Sequence, residues 1–410
     1  MLDSLIQKFA ESFVVVGVIF QYFIYWGPFV LGFLLWNMWR DFLLKKWLSN
    51  MNWILLEVKL PKDIKKTPLA MELMLNSLYQ TSGGPWTDKL FKGRTQDWFS
   101  LEIVSIEGSI HFFIRVRDFY KNFVESQIYA QYPSAEIYES ADYARRINYK
   151  GDESQWQPWG LEYRLAGPDP LPIATYVDFG MNKGGVKDEE QIDPLTTILE
   201  MMGTCGKGEQ IWLQIGVKAS GKRFKKPGSS FGKQDWVAEG EKMINEINTK
   251  YKSATGGTEV GDLGMTASDK AKIQAITRNI SKIGFDCGIR GFYWVNKKQA
   301  SFDVSKVKGL VGMFIPFKLD SYNEIKIARA TDFDFPWEDF MNIRVQHEKR
   351  NMFDAYKRRS FFFAPHKRKP FVLNAEELAT IYHFPGMVAE TPTFGRIESR
   401  KGEPPTNLPI

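Results

Sequence analysis

Residues 53–60 alternate between apolar and polar positions, with Ile54, Leu56, Val58 and Leu60 on one side and Glu57 and Lys59 on the other. That two-residue period predicts a half-buried strand. Thr67 followed by Pro68 sets an N-cap and a first helical proline ahead of the run TPLAMELMLNSLYQ, and Ser82-Gly83-Gly84-Pro85 closes it. Residues 98–106 and 109–117 read as two strands around a Glu107-Gly108 turn, with Ile110, Phe112, Ile114 and Val116 facing one way. Asp118 is the expected cap of a helix over FYKNFVESQIYAQY, and residues 135–140 supply a further strand.

The same order recurs downstream. Residues 171–179 are the expected first strand, and Asp193-Pro194-Leu195 repeats the cap, proline and leucine of Thr67-Pro68-Leu69. Residues 210–218 alternate strictly, residues 285–296 can pair with them, residues 301–314 form a weaker helix, and residues 324–330 close the set. Two helices, near 235–252 and over 266–282, interrupt the second copy between its middle strands. Two β-α-β-β-α-β runs predict an α+β protein with two tandem ferredoxin-like domains, 51–150 and 157–332, the second carrying a helical insertion over 221–282. A basic segment with a short capped helix, 333–410, follows.

Residues 12–39 contain no charge, a stretch of 28 residues. It exceeds the roughly 20 residues that cross a bilayer, so residues 1–50 are expected to hold a retained transmembrane helix. Arg40, Lys45, Lys46, Lys59, Lys62, Lys65 and Lys66 crowd its C-terminal flank. Positive charge stays inside, which predicts a single-pass protein of the inner membrane with its C-terminal domains in the cytoplasm and the lipid bilayer as a partner. Cys205 and Cys287, the only cysteines among 410 residues, agree with a reducing compartment. With His111, His347, His366 and His383 they lack the spacing of a zinc site, so no metal or cofactor is expected.

The net charge is +6, but residues 341–370 alone hold nine Lys or Arg against two acids. Lys357, Arg358 and Arg359, with Lys367, Arg368 and Lys369, bracket a Ser360-Phe-Phe-Phe run, and Lys218, Lys222, Arg223, Lys225, Lys226 and Lys233 form an acid-free stretch. These twelve residues are the candidate polyanion or lipid-headgroup contacts. Gly216 to Lys222 imitates the start of a phosphate loop, but Arg223 stands where a Mg-binding Ser or Thr belongs and no helix can begin there. Arg290-Gly-Phe-Tyr-Trp-Val partly resembles the aromatic base-stacking strand of RNA-recognition domains, with bulky Tyr293 in place of a small residue. His111 has no catalytic partner assignable from spacing. Asp332, Asp334, Glu338 and Asp339 form an acidic aromatic linker, and no catalytic residue is expected.

Residues 374–385, NAEELATIYHFP, are physically a short helix with Asn374 as cap, Glu377 returning the bond and Pro385 as stop. With Thr391-Pro392 and the tail EPPTNLP over 403–409, the run resembles the segment ahead of the phosphate loop in membrane-anchored ATPases of type IV secretion and conjugation. Phe112-Phe-Ile-Arg115, residues 124–133 and Ala135-Glu-Ile137 resemble the N-terminal region of that family. The sequence given stops at Ile410, where the family's motor domain would begin, so ATP hydrolysis does not carry over. The resemblance implies a non-catalytic, oligomeric component of a translocation apparatus that docks a motor ATPase or its substrate. The alternatives are a tethered module that binds nucleic acid such as DNA without sequence preference, and the front part of a longer motor.

Overall fold

A computed structural model describes residues 21–61, 66–182, 193–221, 235–254, 265–320, 322–332, 337, 339 and 342–385. It divides into two compact units, residues 1–51 with 82–96, and residues 52–81 with 97–410.

In the smaller unit, helix α1 (Phe23–Ser49) accommodates Pro28 in its interior. Short helix α3 (Trp86–Phe91) is followed by Gly93 at φ +68°, where a Cβ would fall 2.5 Å from the Leu43 backbone, so only glycine permits that approach. No helix among the described residues is long and apolar enough to cross a membrane. This overturns the expected single-pass anchor and the inner-membrane placement derived from it. Freedom from charge is not the same as hydrophobicity. Tyr25, Trp26, Trp36, Asn37 and Trp39 dilute the helix, and Arg40, Asp41, Lys45 and Lys46 occupy its last turns. Residues 12–20 of the expected span lie outside the described residues.

The larger unit is organised by one antiparallel sheet of nine strands. Its strands are β1 (Trp53–Lys59), β2 (Phe99–Ile106), β3 (Ser109–Arg117), β4 (Glu136–Ser140), β5 (Trp156–Leu165), β6 (Glu209–Ala219), β7 (Gly284–Asn296), β8 (Ile325–Ala330) and β9 (Phe371–Asn374). They run β4-β1-β3-β2-β6-β7-β5-β8, with β9 pairing β7 where β5 no longer reaches. The two tandem ferredoxin-like domains are therefore a wrong expectation. The β-α-β-β-α-β order does occur twice, but β2 pairs along its full length with β6, and neither half keeps a separate sheet. The reading of 171–179 as a strand also fails. Pro168, Pro170 and Pro172 remove backbone donors there, and Asp178 instead accepts from the Thr175 backbone N–H in a turn. The strand in that role is β5.

Helices α2 (Leu69–Ser77), α4 (Lys121–Gln131), α5 (Pro194–Gly203), α8 (Val304–Gly312) and α10 (Ala375–Ile381) contribute to the core on one face of the sheet. Asp193 caps α5 through the Leu195 N–H as expected, whereas Thr67 and Asp118 do not cap: α2 starts after Pro68, and a 3-10 turn over Asp118–Tyr120 precedes α4. The inserted helices are α6 (Trp236–Ala254) and α7 (Ala267–Ile280), the latter capped by Thr266. The other face is covered by residues 143–149 and helix α9 (Ile343–Arg358). There Tyr143, Ile147, Met352, Phe353 and Tyr356 meet Val104, Phe113, Trp212, Phe292 and Trp294. Each such buried apolar side chain contributes roughly 1.5–3 kcal/mol.

Two adjacent rows of register partners show how the faces differ. Ile137, Val58, Phe112, Ile103, Leu213, Gly291, Leu161 and Ala330 cross the sheet on the first face. One residue over, Tyr138, Glu57, Phe113, Glu102, Gln214, Arg290, Glu162 and Arg329 cross it on the second. The first row is apolar throughout; the second, Phe113 apart, is a ladder of charged and polar groups.

After α9 the chain folds Phe361 and Phe362 onto the second face, above Gly288 and Gly216. A Cβ on Gly288 would lie 2.5 Å from the Phe361 ring carbons. Gly288→Ala should accordingly destabilise the protein by about 1–3 kcal/mol through overpacking, measured as a lower urea midpoint with an unchanged m-value.

Candidate functional site

The ladder becomes a site where β2 meets β6. Glu102 is fully buried there and accepts from Arg359 Nε (2.9 Å) and Nη2 (3.0 Å), Ser100 Oγ (2.7 Å), Gln214 Nε2 (3.1 Å) and the Tyr143 hydroxyl (2.7 Å). Arg359 also donates to Asp142 at 2.6 and 2.9 Å and to the Lys357 carbonyl at 2.9 Å. Its backbone is left-handed, φ 50°, which ends α9 and turns the chain back over the sheet. Burial alone would raise the Glu102 carboxyl, but the Arg359 charge and the converging donors hold it down at about 2. A second station follows one pair of strands away. Glu162 accepts from Arg290 Nε at 2.7 Å and Arg329 Nε at 2.6 Å, and Arg329 continues to Glu348 at 2.9 Å.

These anchors sort the basic residues named from the sequence. Arg359 is 1% exposed and committed to two carboxylates, so it cannot be a polyanion contact. Lys218 sits 3.2 Å from Asp286 and over the rings of Phe362 and Phe363. Arg368 reaches Glu162 at 3.6 Å with its side chain still 41% exposed. Lys357, over the Phe353 ring, and Arg358, paired with Asp354, lie at the end of α9, while Lys367 and Lys369 are exposed on the following loop. Lys222, Arg223, Lys225, Lys226 and Lys233 lie outside the described residues.

The other motifs resolve as packing. Gly216 is inside β6 and not in a loop, so the phosphate-loop pattern has no cradle at its first glycine. Arg290 to Val295 lie on β7, paired on both edges and buried on both faces, which leaves no open stacking platform. His111 Nδ1 meets Glu57 at 2.8 Å, a cross-sheet partner that spacing did not offer. Asp339 accepts from the backbone N–H groups of Arg344 and Val345 at the start of α9; Asp334 and Glu338 lie outside the described residues. No group of three His, Cys, Asp or Glu side chains among the described residues converges on a metal-sized space.

A second charged cluster ties α10 down on the opposite face. Glu376 meets Arg278 at 3.2 Å and Lys282 at 2.6 Å, and Lys282 also bonds Glu72 at 2.7 Å. The capping box is present as read: Asn374 accepts from the Glu377 N–H, and Glu377 accepts from the Asn374 N–H. Glu377 also accepts from the Ile173 N–H, and its burial pushes the carboxyl up to about 8. His383 donates toward the Ala379 carbonyl and to Asp193 at 3.1 Å; burial opposes its charge, but the Asp193 carboxylate raises its pKa above the ordinary value.

Glu102, Asp142 and Glu162 are not singled out by the sequence, and Arg115 enters there only as part of the family resemblance. The available signal was a charge flanked by apolar residues in the middle of a strand, as in Leu101-Glu102-Ile103 and Leu161-Glu162-Tyr163. A scan against protein-family models finds no match to this chain, and a search of the curated proteins finds no significant one.

The Glu102 shift fixes a pH window. Its folded pKa lies below the ordinary 4.5, so its contribution is complete above that value and is lost as pH falls from about 4.5 towards 2. In that window the unfolded chain binds the extra proton, and stability rises with pH. Glu102→Gln should lower stability at pH 7 and remove part of the acid dependence, on the order of 3 kcal/mol, when urea melts of both proteins are compared between pH 2 and 5.

Proposed function

We propose that this chain is a non-catalytic docking component of a type IV secretion or conjugation-like translocation machine, holding the machine's polyanionic substrate beside its motor ATPase. The single membrane span is no part of the reading. Its main support is the division of labour in residues 357–369. Arg359, Phe361 and Phe362 are buried anchors, while Arg358, Lys367 and Lys369 face outward and Lys357 is half-buried over the Phe353 ring, with Asp354 as the acid paired among them. A rigidly held cationic loop neutralises phosphates without reading bases, because base readout needs donors fitted into a groove.

The residues that carry the family resemblance add to this. Phe112 to Arg115 lie on β3, residues 124–131 on α4 and residues 374–381 at the junction of β9 and α10, all of them parts of the central unit. The likeness therefore falls on framework positions. Thr391, Pro392 and the tail over 403–409 lie outside the described residues.

Binding to duplex DNA should weaken steeply with salt and be nearly blind to sequence. Replacing Lys357, Arg358, Lys367 and Lys369 together with glutamine should lower the magnitude of the log-affinity slope against log salt by about 2 to 4, at roughly 0.9 per phosphate contact. The measurement is fluorescence anisotropy on the full chain with two unrelated duplexes. A hundredfold preference for one duplex at equal salt, or an unchanged slope in the quadruple variant, would refute the reading.

A further inference from the structure

Arg115 is a cation whose neighbouring acids are already taken. It stands on β3 on the second face, in register between Leu55 and Ser100, with its guanidinium 4.3 Å over the Trp53 ring. The carboxylates that act on it are Glu102 and Asp142, and every oxygen of both already accepts from Arg359. Among the described residues its guanidinium makes no hydrogen bond and no ion pair. Burial, and then the repulsion from Arg359, push the Arg115 guanidinium down to about 9, well below an ordinary arginine. Arg115 is nevertheless only half-buried, so its guanidinium can meet an anion from outside.

The position is continuous with the basic loop. Trp53 meets Trp98 at 4.7 Å between ring centres and Trp98 meets Phe363 at 5.3 Å, while Lys218 lies over Phe362 and Phe363. A row of aromatic rings thus joins Arg115 to residues 361–363, with a cation at either end. Arg145, whose side chain is 84% exposed, contributes a further positive charge near Arg115.

We propose that Arg115 is the base of an oxyanion site that takes one phosphate group of a nucleic-acid strand, two guanidinium N–H donors meeting two phosphate oxygens while Trp53 holds the guanidinium plane. The planar fork suits phosphate, and a strand laid along the 357–369 loop would supply it. This deepens the function proposed above and rests on it only for the source of the phosphate.

Two measurements on the full chain test it: thermal melts in sodium phosphate against sodium chloride at matched ionic strength, and anisotropy with a labelled single-stranded oligonucleotide. Phosphate should raise the wild-type melting temperature beyond chloride. Arg115→Gln should abolish that difference and weaken oligonucleotide binding about tenfold with a salt slope smaller by about 0.7. Arg115→Lys should keep the slope and lose part of the affinity, since a point charge replaces a fork. A wild type indifferent to phosphate, or an Arg115→Gln protein with an intact phosphate response or unaltered oligonucleotide affinity, would overturn the site. If those arms fail while the quadruple loop variant still loses DNA, the docking function stands without this site. If phosphate binds at Arg115 but no nucleic acid binds, an anion site remains, while its nucleic-acid source and the docking function both fall.

Discussion

The buried ion pair between Glu102 and Arg359 is the constraint from which the architecture of the larger unit follows. Two halves of like connectivity meet edge to edge at β2 and β6, and that pairing removes two exposed strand edges at once. It also strands the carboxylate of Glu102 in the middle of a sheet covered on both faces. Taking such a group out of water costs several kcal/mol, and only close opposite charge with saturated hydrogen bonds offsets it. The compensating cation comes from 257 residues further along the chain, so closing the seam requires the C-terminal segment to be in place.

From that requirement the rest of the second face can be traced. The left-handed turn at Arg359 that delivers the guanidinium also reverses the chain, which lays Phe361 and Phe362 over two glycines and leaves Lys367 and Lys369 outside. The chain then passes to β9, fills the place along β7 that β5 vacates, and enters α10, every residue of which is buried. Because Arg359 takes both nearby carboxylates, Arg115 has a ring under it and, among the described residues, no ion pair. The surface chemistry is in this sense a by-product of how the interior was neutralised.

Alternation made most strands legible, and local polar chemistry made the caps at Asp193 and Asn374 legible, since both signals are short-range. Strand β5 was not legible because Pro158 and Gly160 interrupt it. Pro158 is tolerated because β8 pairs only from Leu161 onwards, and Gly160 leaves room for the Phe292 ring. Periodicity also cannot say whether two repeats form two sheets or one, because the residues of β2 and β6 read alike either way. Nor can it tell a solvated charge from a paired one: Arg359 and Lys369 look equivalent in sequence, and only the distant Glu102 and Asp142 separate them. The charge-free N-terminal stretch misled for a simpler reason, since its Trp, Tyr and Asn residues carry no charge and still lower the hydropathy of the described helix.

A double-mutant cycle between Glu102 and Arg359, read by urea unfolding at pH 7, tests the central claim most directly. Arg359→Met alone should cost about 3–5 kcal/mol because Glu102 is left buried and unpaired, and Glu102→Leu in the same background should restore much of that loss, giving a coupling of at least about 2 kcal/mol. Additive effects, within about 0.5 kcal/mol, would mean that the pair does not govern the seam.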